Sequence, residues 1–216
     1  RPTLTYATND TANILVSAAN ITLYNLLFVA NKAAVASAMT VAGTSLATDF
    51  TIANCEFRDT SAILNFVTLF TGNATAQSMQ GFHFVDNDIV SLGTTAATTA
   101  IKALEAASRI KLLRNFGTWA VLNDTAALFG GSDKNFLQME IGYNVLNKPN
   151  TSSTGGSFVS GTGTAWTGHA HHNLCWQLDA DAGIWIANAT KLAFSENYSP
   201  ITGAAEKSGL INPAAV

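Results

Sequence analysis

FHFVDNDI (residues 82–89), IKLLRNFG (110–117) and MEIGYNVL (139–146) are three versions of one pattern. Apolar residues stand at positions 1 and 3, a polar pair containing Asn at 5 and 6, and usually an apolar residue at 8. The same pattern precedes them as ITLYNLLF from Ile21 and FTIANCEF from Phe50, and follows in weaker form as GHAHHNLC from Gly168 and LAFSENYS from Leu192. The starts are separated by 29, 32, 28, 29, 29 and 24 residues. Asn occupies position 5 in the first two copies (Asn25, Asn54) and position 6 in the others (Asn87, Asn115, Asn144, Asn173, Asn197). A fixed period in the range of about 20 to 50 residues is the mark of a solenoid.

A second repeat strengthens the first. AILNFVTLFTG from Ala62 recurs as AVLNDTAALFGG from Ala120, a separation of 58, twice the period. Period-2 alternation, with Val, Ile, Phe and Thr abundant, selects strand over helix. Three strands of roughly 5 residues with three turns of 2 to 5 make about 21 to 30 residues, one coil of a parallel β-helix. The expected fold is therefore all-β, a single-stranded right-handed parallel β-helix of about seven coils and roughly 30 Å. It would cover residues 21–200, with 1–20 as an N-terminal cap or arm and 201–216 as an extended C-terminal tail.

In such a rod Ile21, Phe50, Phe82, Ile110 and Met139 stack as one inward column, and Ile52, Phe84, Leu112 and Ile141 as another. The Asn residues form a corner column, because Asn accepts left-handed backbone and stacked amides can hydrogen-bond along a ladder. The one-residue change of position offsets Asn25 and Asn54 from Asn87, Asn115 and Asn144. Lys102–Leu113, KALEAASRIKLL, has good helix formers but overlaps the fourth copy, so at most a short helical turn is expected there, and a mixed α/β fold is the lesser alternative. Solenoid ends leave unpaired edges, so one terminal segment should cap the rod and the other contact a neighbouring chain or a larger assembly.

Composition agrees with this architecture. The chain has 216 residues, 48% hydrophobic and 12% charged, enough apolar content to exclude disorder. At this length a full core forms without disulfides or metals. The net charge of −3, without a basic block, excludes a nucleic-acid partner. Residues 60–85 and 149–178 carry no Asp, Glu, Lys or Arg, yet they are dense in Thr, Ser, Asn, Gly and Gln and unlike a spanning helix, so no membrane association is expected. The Arg1-Pro2-Thr3 start, without a charged-then-apolar leader, reads as a processed or truncated N-terminus. Cys55 and Cys175 are expected as small buried residues rather than a bridge.

The densest chemistry is Gly168-His169-Ala170-His171-His172. Such a cluster can bind Zn²⁺ or Ni²⁺, but alternation sets His169 and His171 on one strand face and His172 at the polar corner, where solvated histidine is ordinary. No metal or cofactor is expected. Paired acids could cleave glycans; the candidates are Glu56 with Asp86 and Asp88, and Asp179 with Asp181, the latter flanked by Trp176 and Trp185. Their position beside corners and loops favours plain surface carboxylates, so no catalytic residue is assigned. The Ser153–Thr164 run lacks the Lys of a phosphate loop and reads as a flexible excursion. No nucleophilic triad can be assembled, and sequons at Asn20, Asn73, Asn150 and Asn188 carry little weight in so Asn-rich a chain.

The coils FTIANCEFRD and FHFVDNDIV and the ending LAFSENYSPITGAAEKSGLINPA, within residues 20–213, resemble tailed-bacteriophage virion proteins built on right-handed parallel β-helices. The ending resembles small structural proteins of the capsid region. This resemblance implies a non-enzymatic decoration or stabilising protein on the phage head surface, bound to the major capsid protein and commonly homotrimeric. The alternative it leaves is a tailspike-like module that binds or cleaves host polysaccharide.

Overall fold

A computed structural model describes residues 1–9, 11, 13–93, 99–120, 128–131, 134–148, 159–160, 166–177, 186–187 and 191–197. Among the described residues the chain winds in fixed order through three parallel sheets of seven strands each, with a further two-stranded parallel pairing of Ala107–Ser108 and Phe136–Leu137. The first sheet runs from Thr3–Tyr6 through Leu27–Ala30, Glu56–Asp59, Asp88–Ser91, Phe116–Trp119 and Val145–Lys148 to Leu174–Gln177. The second runs from Ile14–Val16 to Ile186–Ala187, and the third from Thr22–Tyr24 to Lys191–Ser195. This is a parallel β-solenoid, as the periodicity requires.

Winding starts at Thr3, ahead of the first repeat copy, so a copy begins on the third sheet of one winding and continues onto the first sheet of the next. Residues 1–20 supply the first strands of two sheets: Thr3–Tyr6 pairs with Leu27–Ala30, and Ile14–Val16 with Met39–Val41. The tail 201–216 lies outside the described residues.

The register matches the repeat residue for residue. Leu23, Ile52, Phe84, Leu112 and Ile141 are successive partners in the third sheet, and the last four are at most 1% exposed. Phe50, Phe82, Ile110 and Met139 are buried likewise. The second repeat has the same origin: Phe70 and Phe129, 59 residues apart because the later copy has one extra residue before its Leu-Phe, are both partners of Ile101 in the second sheet. Ring stacking ties successive coils together, with Phe28 on Phe57 at 4.7 Å, and braces one coil internally, with Phe70 on Phe82 at 4.7 Å. Residues 102–113 form no helix: Thr99–Ala103, Ala107–Ser108 and Lys111–Leu113 are strands. Propensity there yields to the inward demand for Ile110 and Leu112, both fully buried.

Position 8 shows how one gap is filled. Phe28, Phe57, Ile89 and Leu146 fill it elsewhere, whereas the fifth strand of the first sheet has Gly117. A Cβ on Gly117 would lie 1.8 Å from Trp119 Cζ3, so the indole of Trp119, 1% exposed, takes the space. Gly117→Ala should therefore lower stability by about 1 to 3 kcal/mol in chemical denaturation, the usual cost of overpacking.

Two corners are left-handed. Position 5 has positive φ in every copy: Asn25 57°, Asn54 52°, Asp86 56°, Arg114 53°, Tyr143 57°, His172 51° and Glu196 51°. The residue before each of the first five copies does the same, at Asn20, Asp49, Gly81, Arg109 and Gln138. For most non-Gly residues this backbone costs roughly 1 to 2 kcal/mol.

Position 6 offsets that cost, and here the expected Asn column divides in two. Asn25 and Asn54 are left-handed corner residues outside the ladder. Asn87, Asn115, Asn144, Asn173 and Asn197 are buried at position 6. Along them, each Oδ1 after the first accepts both the backbone N–H and the Nδ2 of the Asn one coil earlier, at 2.8 to 3.1 Å. Each Nδ2 also donates to the position-3 carbonyl of the preceding coil, from Ile52 O at 3.0 Å to Ala170 O at 2.9 Å.

Cys55 terminates the ladder. Its N–H donates to Asn87 Oδ1 at 2.9 Å, and its Sγ donates to Ala53 O at 3.3 Å and Leu23 O at 3.7 Å. Leu23 O is the acceptor an Asn amide would use, so Cys55→Asn should extend the ladder and raise stability by about 0.5 to 1.5 kcal/mol, one net hydrogen bond. Thermal melting of the variant would show it.

Candidate functional site

The outer wall of the third sheet concentrates the exposed polar chemistry. Register places position-2 residues in a row: Thr22, Thr51, His83, Lys111, Glu140, His169 and Ala193. The position-4 row ends in Gly142, His171 and Ser195, and the left-handed corner beside it carries Asp86, Arg114, Tyr143, His172 and Glu196. Ion pairs run along the wall: Lys111 to Glu140 at 3.7 Å, and Arg114 to both Asp86 oxygens at 2.7 and 2.8 Å. At the other corner Arg109 reaches Asp49 at 3.3 Å. Gly81 lies between them, where a Cβ would fall 2.1 Å from Asp49 Oδ1.

The acids considered for glycan cleavage separate on this framework. Glu56 and Asp88 are register partners in the first sheet, so stacking does make them neighbours. Glu56, however, is held by Arg1 at 3.1 Å and by Arg58. Asp86 is the left-handed corner residue itself, and the Arg114 guanidinium bonded to it holds its carboxyl below the ordinary range, the opposite of what a general acid needs. Arg1 also donates to Asn25 Oδ1 at 3.2 Å and Asn54 Oδ1 at 3.4 Å, a clamp across the corner that the sequence does not signal. Trp119 and Trp166 are core residues, 1% and 0% exposed, and present no sugar platform. Asp179, Asp181, Trp185 and most of the Gly-rich run lie outside the described residues.

The histidines sit where alternation puts them. His169 and His171 project outward on either side of buried Ala170, and His172 is the left-handed corner residue. Their mutual contacts go further than the strand pattern shows. His171 Nδ1 and His172 Nδ1 are 3.1 Å apart. His172 Nε2 pairs with Glu196, and His171 Nε2 is 3.9 Å from Glu140 Oε1. His169 Nε2 lies 2.8 Å from Ser195 Oγ. Tyr143 stacks on His172 at 4.8 Å and meets His171 edge-on at 5.2 Å. Partial burial, then the neighbouring imidazoles, hold His171 below the usual histidine range. His83 is lowered too, by burial first and then by Lys111.

One buried carboxylate has no sequence signature. Asp59 is 3% exposed on the inward side of the first sheet. It accepts from Phe66 N at 2.9 Å, Leu92 N at 2.8 Å and Gly93 N at 3.3 Å, joining two coils where the chain leaves that sheet. Burial pushes its carboxyl up to about 6 against these donors.

No protein-family model, no curated protein and no solved structure matches the chain. Among the described residues no helix is long and apolar enough to cross a membrane.

Proposed function

We propose that this solenoid is a non-enzymatic structural component of a tailed-bacteriophage particle, a decoration protein that binds the major capsid protein on the head surface and stabilises the shell. The observation that carries the non-enzymatic part is the engagement of the acids: Glu56 is held by two arginines and Asp86 by a two-pronged Arg114 contact. The buried Asn ladder supports a stiff wall whose polar groups serve the fold. The virion assignment rests on the resemblance of the coils and of the ending from Leu192, and the homotrimer follows from that resemblance.

The test has two arms. Purified protein incubated with empty capsid shells should co-sediment with them at a fixed ratio, and incubated with host capsular polysaccharide or lipopolysaccharide it should release no reducing ends. Release that disappears in an Asp179→Ala, Asp181→Ala double variant, without co-sedimentation, would replace this reading with an appendage module acting on host glycans.

A further inference from the structure

Neighbouring residues on a strand point to opposite faces, so His171 and His172 would ordinarily be separated. The left-handed backbone at His172, φ 51°, turns its ring back, and the two Nδ1 atoms come to 3.1 Å. The other nitrogen of each ring faces a carboxylate. His172 Nε2 pairs with Glu196, and Glu140 Oε1 is 3.9 Å from His171 Nε2 while its Oε2 is 3.7 Å from Lys111. Glu196 at His172 Nε2 favours the proton there and leaves the His172 Nδ1 lone pair to accept from His171 Nδ1–H. A metal ion would replace that hydrogen bond with two Nδ1–metal bonds, the His171 proton moving to Nε2 on the Glu140 side, and an outer carboxylate is the arrangement that orients metal-binding histidines. Two nitrogens each about 2.0 to 2.1 Å from a tetrahedral metal lie roughly 3.3 Å apart, close to the spacing seen.

The seat is also built. A Cβ on Gly142 would lie 2.6 Å from His171 Cε1 and 2.8 Å from Nε2, so the missing side chain makes room for that ring, while Tyr143 packs on both imidazoles.

We propose that His171 and His172 form a two-imidazole site for a divalent transition-metal ion of the Zn²⁺, Ni²⁺ or Cu²⁺ class, each ring binding through Nδ1. No group of three or more His, Cys, Asp or Glu side chains among the described residues is placed to hold a metal. With no third protein ligand among the described residues, the site is an exchangeable one on the outer wall with water at the open positions, independent of the virion assignment.

The test is calorimetric titration of the untagged protein with ZnCl₂, with melting measured in parallel. Wild type should bind one ion per chain and melt higher with metal. His172→Asn keeps a residue suited to the corner, as Asn25 and Asn54 show. It should melt like wild type without zinc and bind at least about tenfold more weakly, and Glu196→Gln should weaken binding by about tenfold, within the usual range for losing an outer carboxylate. His169→Ala should bind as wild type does. Absence of binding by wild type, equal binding by His172→Asn, or a loss in His169→Ala as large as that in His172→Asn would overturn the proposal.

Discussion

Asn115→Leu should lower the stability of the solenoid by roughly 3 to 6 kcal/mol, because it strands several buried polar groups at once. Asn115 Oδ1 accepts from both the N–H and the Nδ2 of Asn87, and its Nδ2 donates to Phe84 O and Asn144 Oδ1. Leucine can neither accept nor donate, and water does not reach position 6, where Asn87 and Asn144 are 0% exposed. For a domain whose total stability is about 5 to 15 kcal/mol, this is a large fraction. Asn25→Gly is the matched control. That position needs left-handed backbone, which glycine supplies, and among the described residues its side chain's hydrogen bond is the exposed one from Arg1. A loss under about 1 kcal/mol is expected there. Urea denaturation of both variants checks the claim; equal losses would mean that position 6 has no special role.

The second large effect is a pH dependence centred on Asp59. Its folded-state carboxyl is raised to about 6 from 3.8 by burial, so the native chain holds that proton more tightly than the unfolded chain. The associated stabilisation is fully present below the unfolded value, and it is lost as pH rises through about 6. A shift of this size corresponds to about 3 kcal/mol between the two limits. Asp59→Asn cannot titrate. Relative to wild type it should therefore gain about 3 kcal/mol as pH rises from about 3.5 to 7, even though its amide presents a donor to one of the N–H groups that Asp59 now accepts. Comparing the two proteins at each pH cancels every other titration. A difference that stays constant would show that the three N–H donors fully offset burial.

The inward columns were legible because burial imposes the same demand on every coil. Ile52, Phe84, Leu112 and Ile141 are apolar for one reason, and the period exposes it. The corners were legible only in part. Asn25, Asn54 and Gly81 announce left-handed backbone, whereas Arg114, Tyr143 and Glu196 do not; the neighbouring position-6 Asn holds those residues in a conformation they would not choose alone. The sequence merged the corner role and the ladder role of Asn, which the fold assigns to adjacent positions. Compensations across coils were not legible: Trp119 filling the space over Gly117, Arg1 clamping Glu56, and Asp59 gathering N–H groups from Phe66, Leu92 and Gly93 all depend on which residues the winding stacks. The histidine cluster was legible, but the approach of His171 to His172 was not, since alternation separates neighbours and only the turn at His172 reunites them.

The most direct measurement is electron cryomicroscopy of purified particles produced from the genome that encodes the chain. The account predicts solenoid-shaped density on the outer surface of the head, at symmetry-related contacts between capsid subunits, that disappears from particles made without this chain. Solenoid density confined to the tail or tail fibres, or particles that lack the protein altogether, would contradict it.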